Sequence, residues 1–470
     1  PIYGHFVSKD FVHWAQLPVA IWNGLDSSVW PPKKTPYDTQ AIFTGSAVVV
    51  DGAGPDGKGP GVVQIYPGLC SKWSWPTCKT GTLLAQAVPA AYASDALLTN
   101  WTKPSYNPIV EGTQRDPSTP WRTPGGEWRL RTFDSMLYGS ASDADLLAGK
   151  WYEIGRSGDF RQCECPSFYP LPPPTPGFEE SYHAAAANGS LPTHVHKTSC
   201  GGDWWQLGTY EEGAPRTAGH FRATPGWEDL FAQQRIDAGS FYASKDNEYP
   251  TKDGGKRRIN WGWAQVPPSS TQTLPRVITF NAAVRRLEQA PLEELQALRG
   301  PAAYAAQGVQ LGPQAHDLGL KPGVAEHSEV VAVFQLPSEA STFGVALGST
   351  SCTVDFVPPA AGFAHPFYEV GVSCGSVKDV LRLTPGERAL EIRVFADATF
   401  LEAYFQGGRV AMTQAASLSG DTGVSLTATS PLLAQSVEAY PMQGIWVQPE
   451  EVRKAPRVYP TETPAKALVV

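Results

Sequence analysis

Charge is scarce in this sequence. Only 17% of its 470 residues are Asp, Glu, Lys or Arg, and 37 basic against 45 acidic residues leave a formal net charge of −8. That balance excludes the basic footprint of a nucleic-acid binder and the polybasic anchor of a membrane-surface protein. The expected partner is neutral. No run of about 18 apolar residues occurs, which excludes a membrane-spanning helix. The opening Pro1-Ile2-Tyr3-Gly4 lacks both an initiator Met and the basic, apolar, small-residue order of a signal peptide, and reads as a processed or truncated start. The 7 cysteines are an odd number, so a complete disulfide framework is excluded. Local pairs remain open: Cys70 with Cys78 and Cys352 with Cys374 are each spaced to staple a loop or hairpin. Two sequons, Asn100-Trp101-Thr102 and Asn188-Gly189-Ser190, agree with a secretory route.

What is abundant is glycine, proline and aromatic residues. With Gly 45, Pro 43, 42% hydrophobic and 11% aromatic residues, turn formers sit between apolar stretches throughout, without a period. The length suggests two domains and the turn density an all-β chain. Up to about residue 276, short apolar strands such as Ala41 to Val50, Gly61 to Tyr66 and Trp128 to Phe133 alternate with Gly, Pro, Asp and Asn clusters. Helical spacing is confined to Tyr182 to Ala187 and to Ala282 to Leu298, the second falling where a domain junction is wanted. Beyond it, stretches such as Glu329 to Leu336, Cys352 to Val357 and Leu390 to Val394 alternate at strand period, as in a β-sandwich. The proline-rich stretch Pro170 to Pro176 reads as a rigid surface loop.

Few residues are arranged for chemistry. His194 and His196 flank Val195 without a spaced third ligand and read as solvated loop histidines, so no metal is expected. Cys163-Glu164-Cys165 has the wrong spacing for a zinc or dithiol motif, and no glycine-rich loop joins a strand to a helix, so no cofactor is expected. Two carboxylates stand out. Asp116 lies between Arg115 and Pro117, where the guanidinium would hold it ionised; Glu164, between cysteines and before Phe168-Tyr169, would be raised by apolar surroundings and keep a proton. One charged and one protonated carboxyl are what glycosidic cleavage requires. A structural Arg-Asp pair and a solvated loop glutamate remain the alternative. The aromatic surplus suits sugar binding, since flat side chains stack on sugar rings.

Arg115-Asp116-Pro117 and Glu164-Cys165-Pro166 resemble two signature motifs of glycoside hydrolase family 32, the invertases, inulinases, levanases and plant-type fructosyltransferases. The resemblance is collinear. It runs through Gly4-His5-Phe6-Val7-Ser8-Lys9-Asp10, Ile42-Phe43-Thr44-Gly45-Ser46, Leu207-Gly208-Thr209-Tyr210, Asp237 to Lys245 and Trp261-Gly262-Trp263 to Leu401-Glu402-Ala403-Tyr404. It implies a five-bladed β-propeller over residues 1–280 with its first strands missing, a linker with a short helix over 281–325 and a β-sandwich over 326–470. It also implies retaining hydrolysis of β-fructosidic bonds in sucrose or fructans, with Asp116 as transition-state stabiliser, Glu164 as acid/base, and Arg115, Phe43 and Thr44 holding the fructosyl ring. Thr44 replaces the usual serine and keeps the hydroxyl. A monomer or homodimer in the cell wall or vacuole is the expected setting. The family's nucleophilic aspartate belongs to a motif upstream of the Gly4 segment and is absent here; neither Asp10, Asp38, Asp51 nor Asp56 restores it. A truncated fructosidase, a fructosyltransferase, or a sugar-binding protein without turnover are the readings carried forward.

Overall fold

A computed structural model describes residues 2–24, 35–52, 60–70, 81–90, 95–112, 114–157, 162–223, 234–251, 254–418, 420 and 422–456. Cys78, Asp56, Trp30, Trp73 and Trp75 lie outside the described residues. The described residues form seven antiparallel sheets. Five small ones follow in sequence order. Blade 1 pairs Tyr3–Val7 with Ala15–Ile21; blade 2 runs from Ala41–Ile42 and Ser46–Val50 through Gly61–Leu69 and Thr82–Pro89 to Trp101–Thr102. Blade 3 holds Trp121–Arg122, Trp128–Arg131, Met136–Ser140 and Tyr152–Arg156, and blade 4 holds Glu164–Pro170, His194–Ser199, Asp203–Glu211 and His220–Ala223. Blade 5 spans Phe241–Pro250, Lys256–Ala264, Thr271–Gln272, Arg276–Asn281 and Arg286–Pro291. Each blade is a meander, because strands of two to ten residues joined by Gly, Pro and Asn turns pair most readily with their sequence neighbours.

Two six-stranded sheets follow and pack face to face. One contains Tyr304–Leu311, Leu432–Pro441, His327–Gln335, Ala389–Asp397, Phe400–Phe405 and Val410–Ala415; the other is centred on Ser341–Leu347, Thr350–Phe356 and Tyr368–Cys374. Their strands alternate as the sequence pattern demands: Val330, Ala332 and Phe334 meet Val345, Leu347, Val354 and Val372 in one continuous core. Each such side chain, once buried, contributes roughly 1.5–3 kcal/mol. The molecule is a five-bladed β-propeller followed by a β-sandwich.

The junction differs from the expectation. Ala282 to Leu298 does not form a helix: Arg286–Pro291 is the outer strand of blade 5, and only Glu293–Leu298 winds, as a 3-10 turn. Leu287, Leu292, Leu295 and Leu298 are all buried, so their spacing records burial on two different elements. The segment 281–325 is correspondingly taken up by sheet, since Tyr304–Leu311 and His316–Asp317 already belong to the sandwich. The proline-rich stretch after Pro170 is also less free than a surface loop, because the Phe280 N–H donates to Pro173 O at 2.9 Å and Thr175 N–H to Phe280 O at 3.0 Å.

Blade 1 has two strands among the described residues, and a sheet edge needs cover. The segment after the last sandwich strand returns to it: Trp14 N–H donates to Ile445 O at 2.8 Å and Val447 N–H to Trp14 O at 2.9 Å. Val452 packs with Ala15, Leu17 and Leu97, and the Lys9 ammonium donates to the carbonyls of Arg453 and Ala455.

Candidate active site

Four inner segments of the propeller converge on one place. In blade 3, Arg115 to Ser118 run alongside Trp128–Arg131, with Ser118 N–H to Arg131 O at 2.7 Å and Phe133 N–H to Arg115 O at 3.2 Å. In blades 4 and 5, Glu164 and Tyr242 stand at irregularities in the pairing, between Glu164 and Ser167 and between Tyr242 and Lys245. Such bulges re-aim side chains at the rims of sheets. Asp116, Cys165 and Ala243 all have positive φ, at 54°, 46° and 51°. Non-glycine residues pay for that conformation, and three beside one another mark a place held by its surroundings.

The side chains meet there. Arg115 Nη2 is 3.2 Å from Glu164 Oε1 and its Nε is 3.9 Å from Asp116 Oδ2, while its guanidinium lies 3.9 Å from the centre of the Phe133 ring. Tyr242 Oη donates to Glu164 Oε2 at 2.8 Å. Cys165 N–H donates to Asp116 Oδ2 at 3.2 Å, so the peptide after one carboxylate binds the other. The Lys245 ammonium donates to Pro117 O at 2.9 Å and to Ser46 Oγ at 3.1 Å, joining blades 2, 3 and 5.

Asp116, Glu164 and Arg115 are therefore brought together as the motifs suggested. Phe43 is 37% exposed, and its carbonyl accepts from Tyr3 Oη at 2.5 Å. The bend that presents it depends on Gly45, where a Cβ would fall 2.1 Å from Ile65 O and 2.6 Å from Tyr3 Oη. Thr44 lies half-buried in the same bend. Tyr3, Ser46, Tyr242 and Lys245 were not singled out from the sequence. They belong to matching segments, but nothing in their spacing marks them, because they reach the site from three different blades.

The electrostatics depart from the sequence reading. Asp116 is 5% exposed, and burial raises its carboxyl above the usual carboxylate range, although Lys245 and the Cys165 N–H pull the other way. Arg115 does not override this, because it turns to Glu164. Glu164 is not in the expected thiol-lined, apolar setting: its side chain is 43% exposed and sits between Arg115 and Tyr242. Cys163 is bonded to Cys200, and Cys165 is buried, with its thiol pushed up to about 11 by desolvation. The histidines are corrected too. His194 and His196 lie on a strand, His196 is buried against Arg131, and His194 stacks on Phe168 with burial taking it down to about 4. Cys352–Cys374 forms as expected; Cys163–Cys200 was not foreseen, and Cys70 is bonded as well.

The carboxylate Asp38 fits no attacking role: it is 0% exposed, takes the Lys103 ammonium at 2.5 Å and accepts from Tyr66 Oη at 3.0 Å. Asp10 is occupied in its own turn, accepting from Val12 N–H at 2.9 Å and His13 N–H at 2.8 Å. Among the described residues no group of three or more His, Cys, Asp or Glu could hold a metal ion, and no helix is long and apolar enough to cross a membrane.

Two carboxylates and an arginine thus meet between blades 3 and 4 of a propeller that is backed by a sandwich. The model of the glycosyl hydrolases family 32 N-terminal domain matches residues 2–291, and the chain belongs to that family. A fructan 6-exohydrolase of Triticum aestivum is 28% identical over 382 residues, 73% of this chain and 58% of the relative. A vacuolar acid β-fructofuranosidase 2 of a Rosa hybrid cultivar is 26% identical over 484 residues, 88% of this chain and 69% of the relative. The chain thus spans between about half and about two-thirds of the length of such relatives. Among solved structures, a fructan 1-exohydrolase IIa variant from Cichorium intybus in complex with 1-kestose superposes with a TM-score of 0.73 at 20% identity, covering 95% of this chain and 91% of that one.

Proposed function

We propose that the protein is a retaining β-fructosidase acting on sucrose or fructans. The observation that carries this reading is the meeting of Arg115, Asp116 and Glu164 from blades 3 and 4, with the two carboxyls in contrasting settings. Glu164, reachable from solvent and held by Tyr242, gives its proton to the departing glycosidic oxygen. An aspartate carboxylate attacks the anomeric carbon as that bond breaks, and water later releases fructose while Glu164 takes back a proton. Asp116 holds the fructosyl hydroxyls and steadies the developing positive charge, with Arg115 fixing both carboxylates and the Phe43 ring walling the pocket. Thr44 contributes its hydroxyl to the ring. Asp38, buried against Lys103, does not fit the role of the attacking aspartate. Binding of neutral sugar in a site of low net charge, by a monomer or homodimer that reached the vacuole or cell wall through the secretory route, completes the reading.

The test is fructose release from sucrose, 1-kestose and inulin, measured on this chain and on the chain carrying whatever coding sequence adjoins Pro1. Turnover with the adjoining sequence, lost in Glu164→Gln, is the expected result. Sugar binding without turnover in both forms would overturn hydrolysis in favour of a binding protein, and transfer of fructose to a second sugar would make it a transferase.

A further inference from the structure

Against the segment that carries Glu164 lies a buried ion pair that plays no part in the proposed reaction. Lys197, on His194–Ser199 of blade 4, and Asp203, at the start of Asp203–Glu211, are 2.9 Å apart with their side chains 1% and 0% exposed. Such a pair is weak evidence for stability, since desolvating two charges consumes most of their attraction. This one is costlier still, because Asp203 Oδ1 is buried without a hydrogen-bond partner. Its hydrogen bonds point elsewhere.

The Lys197 ammonium donates to Cys165 O at 3.2 Å, to Ser244 O at 2.7 Å and to Ser199 Oγ at 3.0 Å. Asp203 Oδ2 accepts from Ser244 N–H at 2.8 Å. Cys165 follows Glu164, and its own N–H is bound by Asp116. Ser244 stands between Ala243 and Lys245, whose ammonium reaches the Asp116 segment. Cys165 and Ala243 combine positive φ with a place inside a strand of blades 4 and 5, each in a bulge where the ladder bonds are missing. The ion pair therefore supplies, from one buried point, the hydrogen bonds that both strained segments forgo in their sheets. Ser199 O, beside it, accepts from Tyr242 Oη at 3.3 Å, so the Glu164 partner is tied to the same block.

We propose that Lys197 and Asp203 are positioning residues of the reaction centre: they clamp the bulged segments of blades 4 and 5 together and thereby set Glu164 against Asp116 and Tyr242. Neither touches substrate. The inference rests on the hydrolytic reading for its kinetic consequence but not for its structural one.

The experiment uses the full-length protein and two substitutions, Lys197→Met, which keeps the chain's bulk, and Asp203→Asn, which keeps its shape and covers the case in which the first does not fold. Sucrose hydrolysis is compared with hydrolysis of an aryl β-fructofuranoside whose leaving group needs no proton. A misplaced acid should lower kcat on sucrose by about 100-fold, with KM within about twofold, and lower it clearly less on the aryl substrate. Hydrogen exchange of the amides in 163–167 and 242–246 should accelerate while the sandwich strands are unchanged. Equal losses on both substrates, or unaltered exchange in those two segments of a folded variant, would overturn the proposal. Should the unsubstituted protein turn over no β-fructoside, the hydrolytic reading fails, and the exchange result still decides the clamp.

Discussion

At the scale of single residues, the site owes its character to contacts made across blades. Tyr242 is held 2.8 Å from Glu164 and contributes only a hydroxyl there, so Tyr242→Phe should fold normally and lose about 10-fold or more in kcat. Steady-state kinetics beside a melting curve would check it; unchanged kcat would remove Tyr242 from the machinery. Asp116 makes a thermodynamic prediction. Burial raises its folded-state pKa, so the folded protein holds its proton to higher pH than the unfolded chain, and stability is lost as pH rises between the two values. Asp116→Asn removes that slope. The melting temperature of the variant minus that of the parent should increase as the pH rises above the ordinary Asp value. A difference that is flat or falls with pH would contradict the burial argument. The two motifs made Arg115, Asp116 and Glu164 legible, whereas the direction of the Asp116 shift was not, because a neighbour in sequence is a weaker guide to charge than the solvent it has lost.

At the scale of elements, the bends and bulges of the inner strands decide what the site presents. The Gly45 bend carries Phe43 and Ser46, and its missing Cβ leaves room for a backbone carbonyl, Ile65 O, that cannot retreat. Gly45→Ala should therefore lower the melting temperature by several degrees and weaken fructose binding more than Gly312→Ala, which has open space around it and an ordinary backbone conformation. Calorimetry and a fructose titration of both variants would show it; equal behaviour would mean that the bend yields. Strand existence was readable from alternation and turn residues. The error at Ala282 to Leu298 has a physical cause: leucines buried at intervals of five, three and three look alike whether one helix or a strand and a turn buries them.

At the scale of the whole molecule, the propeller and sandwich are joined by buried charge. Arg276 of blade 5 reaches Asp237 at 2.9 Å and Glu402 of the sandwich at 2.7 Å, and donates to Tyr404 Oη at 2.9 Å. Beside it, Arg409 of the sandwich reaches Glu288 of blade 5 at 2.9 Å. Removing one partner of such a pair leaves the others uncompensated, and Arg276→Ala should cost about 3–5 kcal/mol. It should also split a single calorimetric transition into two as the domains uncouple, and retention of one transition at unchanged temperature would refute the coupling. No part of this interface was visible in the sequence, since Arg276 and Glu402 lie 126 residues apart.

The sequence by itself determined the class of the chain: turn density and period-two alternation demand sheets, two halves demand two domains, and Arg115-Asp116-Pro117 with Glu164-Cys165-Pro166 declares the family. Those are local properties, carried by neighbours along the chain. Only the tertiary structure decided the pairing of Cys163 with Cys200, the burial of Asp116, the turning of Arg115 toward Glu164, and the choice of Tyr242, Lys245 and Lys197 as their supports. Each of these is set by which blade packs against which, and therefore by solvent excluded and distances closed between residues far apart in sequence.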